Sequence, residues 1–240
     1  MMAQDEEHLP TQKEERSDVD SFLRKVATAP VNKVPGKRGR LLFAMDATAS
    51  RQPSWDQAAK IQGDMFLETD KLGGLEVQLC LFRGFGEFKV SPWVTEASRL
   101  LTLMTSIHCL AGETQIRKVL SHAVNESRKQ AVNAVVYVGD CVEEDVDLLG
   151  ARAGELGLLG VPVFIFHEGH NDVAAFAFKQ IAKLTKGAYC RFDHSSSRTL
   201  KELLSAVAVY AAGGRIALEN LAKERGGEFL KIAHQVKGRK

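Results

Sequence analysis

The chain has 240 residues, of which 45% are hydrophobic and 26% charged, with a net charge of +2. This length and balance fit one large soluble domain with tails, and the near-neutral charge excludes a global electrostatic case for nucleic acid or acidic membranes. No apolar run approaches a membrane span, and the acidic start Met1-Met2-Ala3-Gln4-Asp5-Glu6-Glu7 lacks the layout of a signal peptide, so a cytoplasmic protein without membrane contact is expected.

Residues 1–37 read as a tail and linker. The first part is polar and charged, with too few apolar residues to order itself. A short helix is expected from Ser17, its N-cap, to Val26. Its stripe of Val19, Phe22, Leu23 and Val26 is enough to dock on the domain or on a partner. Pro30, Pro35 and Gly36 end it, and Lys33, Lys37, Arg38 and Arg40 make a basic linker.

From Leu41 to Met45 the chain is wholly apolar, as suits a strand covered on both faces. The strand stops at Asp46, and Pro53 precedes a helical pattern from Trp55 to Phe66 that Gly73-Gly74 closes. Val77–Phe82 is a second strand, and Gly84 and Gly86 turn it into an antiparallel edge strand, Glu87–Val90. A partly helical stretch from Thr95 to Ile107 follows. After Ala111-Gly112-Glu113-Thr114 a helix carries Ile116, Val119, Leu120, Ala123 and Val124 on one face. Strands at Ala134–Val138, Val161–Phe166 and Ala188–Phe192 then alternate with helical patterns. The chain therefore predicts an α/β fold: a doubly wound, mainly parallel open sheet with one antiparallel edge strand and helices on both faces. Residues 38–212 form this domain, and 213–240 an appended helical extension ending in Lys237-Gly238-Arg239-Lys240.

In such a sheet ligands bind beyond the carboxyl ends of the strands. Oxygen donors gather at that edge: Asp46, Thr48 and Ser50 after the first strand, Thr114 before a helix, and Asp140 after Ala134–Val138. Two carboxylates and three hydroxyls suit a small hard cation that keeps some waters, Mg²⁺ first and Mn²⁺ second. With only two formal negative charges in the set, the ion would stay electrophilic toward an incoming carboxylate.

These five positions, in this order and these strand contexts, resemble the metal-ion-dependent adhesion site of von Willebrand factor A (VWA) domains over roughly residues 38–212. The family pattern is Asp-x-Ser-x-Ser, then Thr, then Asp. The resemblance implies a Rossmann-like VWA fold. It also implies direct metal contacts from Thr48, Ser50 and Thr114, with Asp46 and Asp140 acting directly or through water. Thr48 stands where the family usually has Ser, and keeps the hydroxyl. Glu113 stands for the second Gly of the usual Gly-Gly-Thr loop; its carboxylate would strengthen cation binding and repel an acidic ligand. Glu143, with Glu144 and Asp145 at a positive helix start, is a candidate rim residue.

Three other readings carry less weight, and of them a metal-dependent phosphotransferase stands as the less favoured alternative. A haloacid-dehalogenase-like phosphotransferase needs a second acid two residues after its aspartate, where this chain has Thr48. A dinucleotide site needs Gly-x-Gly-x-x-Gly after the first strand, and Gly84-Phe85-Gly86 lies instead in a hairpin. His167-Glu168-Gly169-His170 lacks the helical spacing of a zinc motif and reads as a polar loop. The four cysteines have no metal-ligand spacing and read as reduced, with Cys80 and Cys190 in strands. A non-enzymatic module that recruits a protein partner is therefore expected. The resemblance implies an adaptor beside an ATPase or in a stress-response assembly. The alternative is a nucleic-acid-associated adaptor using Lys33, Lys37, Arg38, Arg40, Lys231, Lys237, Arg239 and Lys240.

Overall fold

The computed structural model describes residues 21–31, 37–48, 56, 74–192 and 197–225. The expected N-cap Ser17, the helical pattern after Pro53, Ser50, Lys33, Lys231, Lys237, Arg239 and Lys240 lie outside these residues. In chain order the elements are α1 (21–28), β1 (Gly39–Asp46), β2 (Leu75–Arg83), β3 (Glu87–Val90), α2 (Ala97–Thr105), α3 (Ile116–Lys129) and β4 (Ala134–Gly139). There follow α4 (Val146–Leu158), β5 (Val163–Glu168), α5 (Asp172–Leu184), β6 (Ala188–Phe192) and α6 (Ser197–Arg225).

The six strands form one sheet in the order β3-β2-β1-β4-β5-β6. All pairs are parallel except β2 with β3. The connections run outward in one direction from β1 to β2 and in the other from β1 to β4. The β1–β4 boundary is therefore the switch point where an open α/β sheet leaves a crevice.

The period-2 geometry of the strands sorts their side chains into two cores. On one face Leu41, Phe43 and Met45 of β1 join Val136 and Val138 of β4 under α1, α2 and α6. On the other, Leu42 and Ala44 join Val135 and Tyr137 under α3, α4 and α5. Every residue of β1 is buried, which explains its unbroken apolar run.

The N-terminal helix docks on this domain. Phe22 is fully buried, its ring centroid 6.0 Å from that of Phe164 and 5.1 Å from that of Phe166. Tyr210 of α6 packs edge-on against Phe164 at 5.6 Å, and its hydroxyl donates to the Pro30 carbonyl. The first core thus draws on both flanks of the sheet sequence. α6 continues past residue 212 and kinks at Gly214, whose φ of 70° and ψ of −163° are not helical. Ala217 and Leu218 beyond the kink are still buried.

Arg40 corrects a sequence expectation. It is not part of a basic surface: it is 5% exposed, lies 3.7 Å from the centroid of the Trp93 ring, and faces Glu76 at 3.5 Å and Glu126 at 3.6 Å. Its backbone amide donates to Asn133 Oδ1 at 2.7 Å, joining the start of β1 to the segment before β4. A guanidinium that is stacked and paired in this way can be buried, whereas a lone one cannot. Lys37 and Arg38 remain exposed.

Truncating Phe22 removes the wedge between β5 and α1. Phe22→Ala is expected to lower unfolding stability by about 3–5 kcal/mol, measured by urea denaturation of the full chain. A loss below about 1 kcal/mol would contradict the packing role of α1.

Candidate metal centre

Asp46 ends β1 and is fully buried. Its Oδ1 accepts the amide of Thr48 at 2.7 Å, which folds the loop back on the aspartate in an Asx turn. The same loop is tied to its neighbours by Ala47 N–H to Phe82 O and by Leu110 N–H to Ala47 O, both 3.0 Å. Thr48 is 8% exposed.

Asp140 follows β4, the strand beside β1, and register pairs Met45 with Val138. The two carboxylates therefore leave adjacent parallel strands at the switch point. Oxygens of Asp46 and Asp140 and the sulfur of Cys141 all lie within 4.8 Å of one another. Burial, then the neighbouring Asp140 and Asp46 charges, pushes the Cys141 thiol up to about 12. Cys141 is the site residue that sequence reasoning missed. Its signal was available: it directly follows the aspartate that ends β4.

Thr114 is 5% exposed in the loop before α3. It is locked to the β4–α4 loop by a reciprocal pair: its amide donates to Glu143 Oε2 at 2.8 Å, and its Oγ1 accepts the Glu143 amide at 3.0 Å. A hydroxyl oxygen that accepts one such bond keeps a second lone pair. Glu143 therefore braces Thr114 through one carboxylate oxygen from an exposed position beside the crevice. As expected, the helix follows this loop: α3 begins at Ile116, and its N-cap Gln115 makes no side-chain cap bond. Glu144 supplies that function from across the crevice, accepting the amides of Ile116 and of Arg117, the latter at 3.0 Å. Burial raises the Glu144 carboxyl above its usual range against the pull of these two amides. Asp145 caps its own helix, accepting the amides of Asp147 and Leu148. The acidic run 143–145 thus serves two helices and the Thr114 loop, not one helix end.

A second brace comes from the hairpin. Gly84 O accepts the amide of Glu113 at 3.2 Å, and Arg83 donates to the His108 carbonyl. A Cβ on Gly112 would stand 2.2–2.4 Å from the Gly84 backbone, so only glycine fits at that position. Glu113 itself is exposed.

His167 corrects another expectation. It is not in a polar loop but in β5, fully buried. Its Nε2 lies 3.2 Å from the Asp140 carbonyl and its Nδ1 2.8 Å from the Tyr189 hydroxyl. A carbonyl only accepts, so Nε2 carries the proton and Nδ1 accepts from Tyr189. Both ring nitrogens are satisfied, which permits burial and supports the backbone of Asp140 from below.

The donor set fits a divalent cation. Two carboxylates converge where one is fully buried, and a cation between them offsets a repulsion that low dielectric magnifies. Asp46, Asp140 and Thr48 come together at one strand-end loop system, and Thr114 is held against the residue three past Asp140. Ser50 lies outside the described residues.

No family model matches the chain, and no curated protein matches it in sequence. Solved structures do. The SpRpn10 VWA domain is 14% identical with a TM-score of 0.53, over 75% of this chain and 98% of that one. Proximal thread matrix protein 1 from the mussel byssus, with a zinc-occupied metal-ion-dependent adhesion site, is 13% identical with a TM-score of 0.55 over 71% of this chain. The PilB minor pilin from Streptococcus sanguinis is 9% identical with a TM-score of 0.55 over 74%. This chain has a VWA-like fold. It spans 62% of the pilin and 46% of the byssus protein. Among the described residues no helix is long and apolar enough to cross a membrane.

Gly112→Ala is expected to force the Thr114 loop away from the hairpin and to lower stability by about 1–3 kcal/mol, read by urea denaturation. Unchanged stability would contradict the close approach to Gly84.

Proposed function

We propose that this VWA-like domain is a non-enzymatic, metal-dependent protein-binding module. The observation that carries the reading is the convergence of Asp46 and Asp140 from adjacent parallel strands at the switch point, with Thr48 folded onto Asp46 and Thr114 braced beside them. Asp46, Thr48, Ser50, Thr114 and Asp140 would hold Mg²⁺, with Mn²⁺ as the alternative occupant. Such an ion would supply an electrophilic coordination position for a carboxylate. An Asp or Glu from a partner protein is the ligand of matching chemistry, and an adaptor role in a cytoplasmic ATPase or stress-response assembly follows from the family resemblance.

The residues around the crevice support a protein ligand. Leu110 is 48% exposed and bonded to Ala47 of the metal loop, and Phe85 is 85% exposed at the tip of the braced hairpin. Apolar side chains beside a carboxylate-capturing centre give a partner contact area that a free anion would not use.

Cys141 supports a second reading of the ion. A thiolate ligand favours Zn²⁺ over Mg²⁺, and a bound zinc ion would deprotonate the thiol despite its raised pKa. In the structure of the byssus protein the adhesion site is likewise occupied by zinc.

Isothermal titration of the full chain with Mg²⁺, Mn²⁺ and Zn²⁺ separates these. Saturable binding that Asp46→Ala abolishes is expected, with Cys141→Ser weakening Zn²⁺ alone if sulfur is a ligand. Absence of binding for all three ions, or equal binding by Asp46→Ala, would end the metal claim. Crosslinking in cells should give a partner whose capture is lost with Asp46→Ala.

A further inference from the structure

A second concave site lies at the other edge of the sheet. α1 on one face and the end of α5 on the other border an open cavity of about 550 Å³ across the free edge of β6, its lysines exposed. Lys25, Lys179, Lys183 and Lys186 line it, with Thr28 and Tyr189, and among the described residues no acidic one contributes to its wall. None of the four lysines makes an ion pair with a described residue. The Lys179 ammonium lies 5.3 Å from the centroid of the Tyr189 ring, which holds that charge at the cavity.

Lys186 adds an independent observation. Its φ is 56°, and it is the one non-glycine residue with positive φ among those described. It sits just past the C-terminus of α5, where Thr185 is the C-cap and Gly187 N–H bonds back to Ala182 O at 2.9 Å. Glycine is the default in that left-handed position, because a side chain is strained there. A lysine in this place spends stability to keep a fourth ammonium on the cavity wall, and strain of this kind collects at functional sites.

We propose that this cavity binds a compact anion carrying two or more phosphoryl groups. Lysines act as compact point charges suited to phosphate oxygens, whereas forked recognition of carboxylates favours arginine. Each phosphoryl group brings about −1.5 to −2 charges, so two of them balance four ammonium groups. The volume lies within the range of small-molecule sites, roughly 300–1,000 Å³. The site is built from residues other than the basic tails.

Lysines also guard free sheet edges against pairing with other chains. That role predicts self-association when they are removed, without any anion affinity to lose. The probe is inorganic tripolyphosphate, titrated into the full chain in buffer with chelator so that bound metal plays no part. The expected result is saturable binding that weakens steeply with salt and at least about tenfold in Lys179→Ala/Lys183→Ala, but not in Asp46→Ala. Citrate is expected to bind at least about tenfold more weakly. Lys186→Gly is expected to raise the melting temperature while weakening tripolyphosphate, a pairing that a merely structural lysine would not give. Binding also to phosphatidylcholine vesicles doped with cardiolipin would make a lipid headgroup the source of the phosphoryl groups; binding to the free anion alone would make it a soluble molecule. The proposal is overturned by no tripolyphosphate binding, by equal affinity in the double variant, or by citrate binding as tightly.

Discussion

Two carboxylates that repel each other are held together by the backbone of a sheet. Asp46 and Asp140 end strands that are hydrogen-bonded neighbours, and the register that pairs Met45 with Val138 leaves their side chains no means of separating widely. The rest of the structure makes that closeness tolerable and repeatable. β1 is buried on both faces by two apolar cores, so its end cannot fray. His167 supports the Asp140 carbonyl, and the Asx turn fixes the loop after Asp46.

Around that pair the loops are joined to one another rather than hanging from separate strands. Glu143 locks Thr114, Glu144 caps α3, and the β2–β3 hairpin sits on Gly112 and Glu113. Such cross-bracing matters because a cation with strict geometry gains affinity from ligands already in place. It also means that single side chains carry two duties. Glu144 accepts backbone amides with both carboxylate oxygens and Glu143 with one, so both shape the crevice by holding its loops.

Much of this was legible in the sequence, since the alternation of apolar strands and amphipathic helices allows few arrangements and the donors fall at strand ends. The long-range contacts were not. Nothing in the spacing of Arg40 reveals that Trp93, Glu76 and Glu126 will meet it, so a buried residue looked like part of a basic linker. His167 was read as a loop residue because its two partners, Tyr189 and the Asp140 carbonyl, lie 22 and 27 positions away. Cys141 was passed over because cysteines were judged by their spacing from one another rather than by their nearness to Asp140. The lysine cavity draws on α1 and α5, which are remote in sequence and meet only around the sheet edge.

The most direct test of the central claim is thermal unfolding of wild type and Asp140→Asn, each with chelator and with Mg²⁺ or Zn²⁺. If the pair exists to hold a cation, the wild type melts higher with metal than with chelator, by linkage to a ligand that binds only the folded state. Asp140→Asn, relieved of the repulsion, melts above the wild type in chelator and shows no metal-dependent shift. An equal metal shift in both proteins, or none in the wild type, would contradict the account.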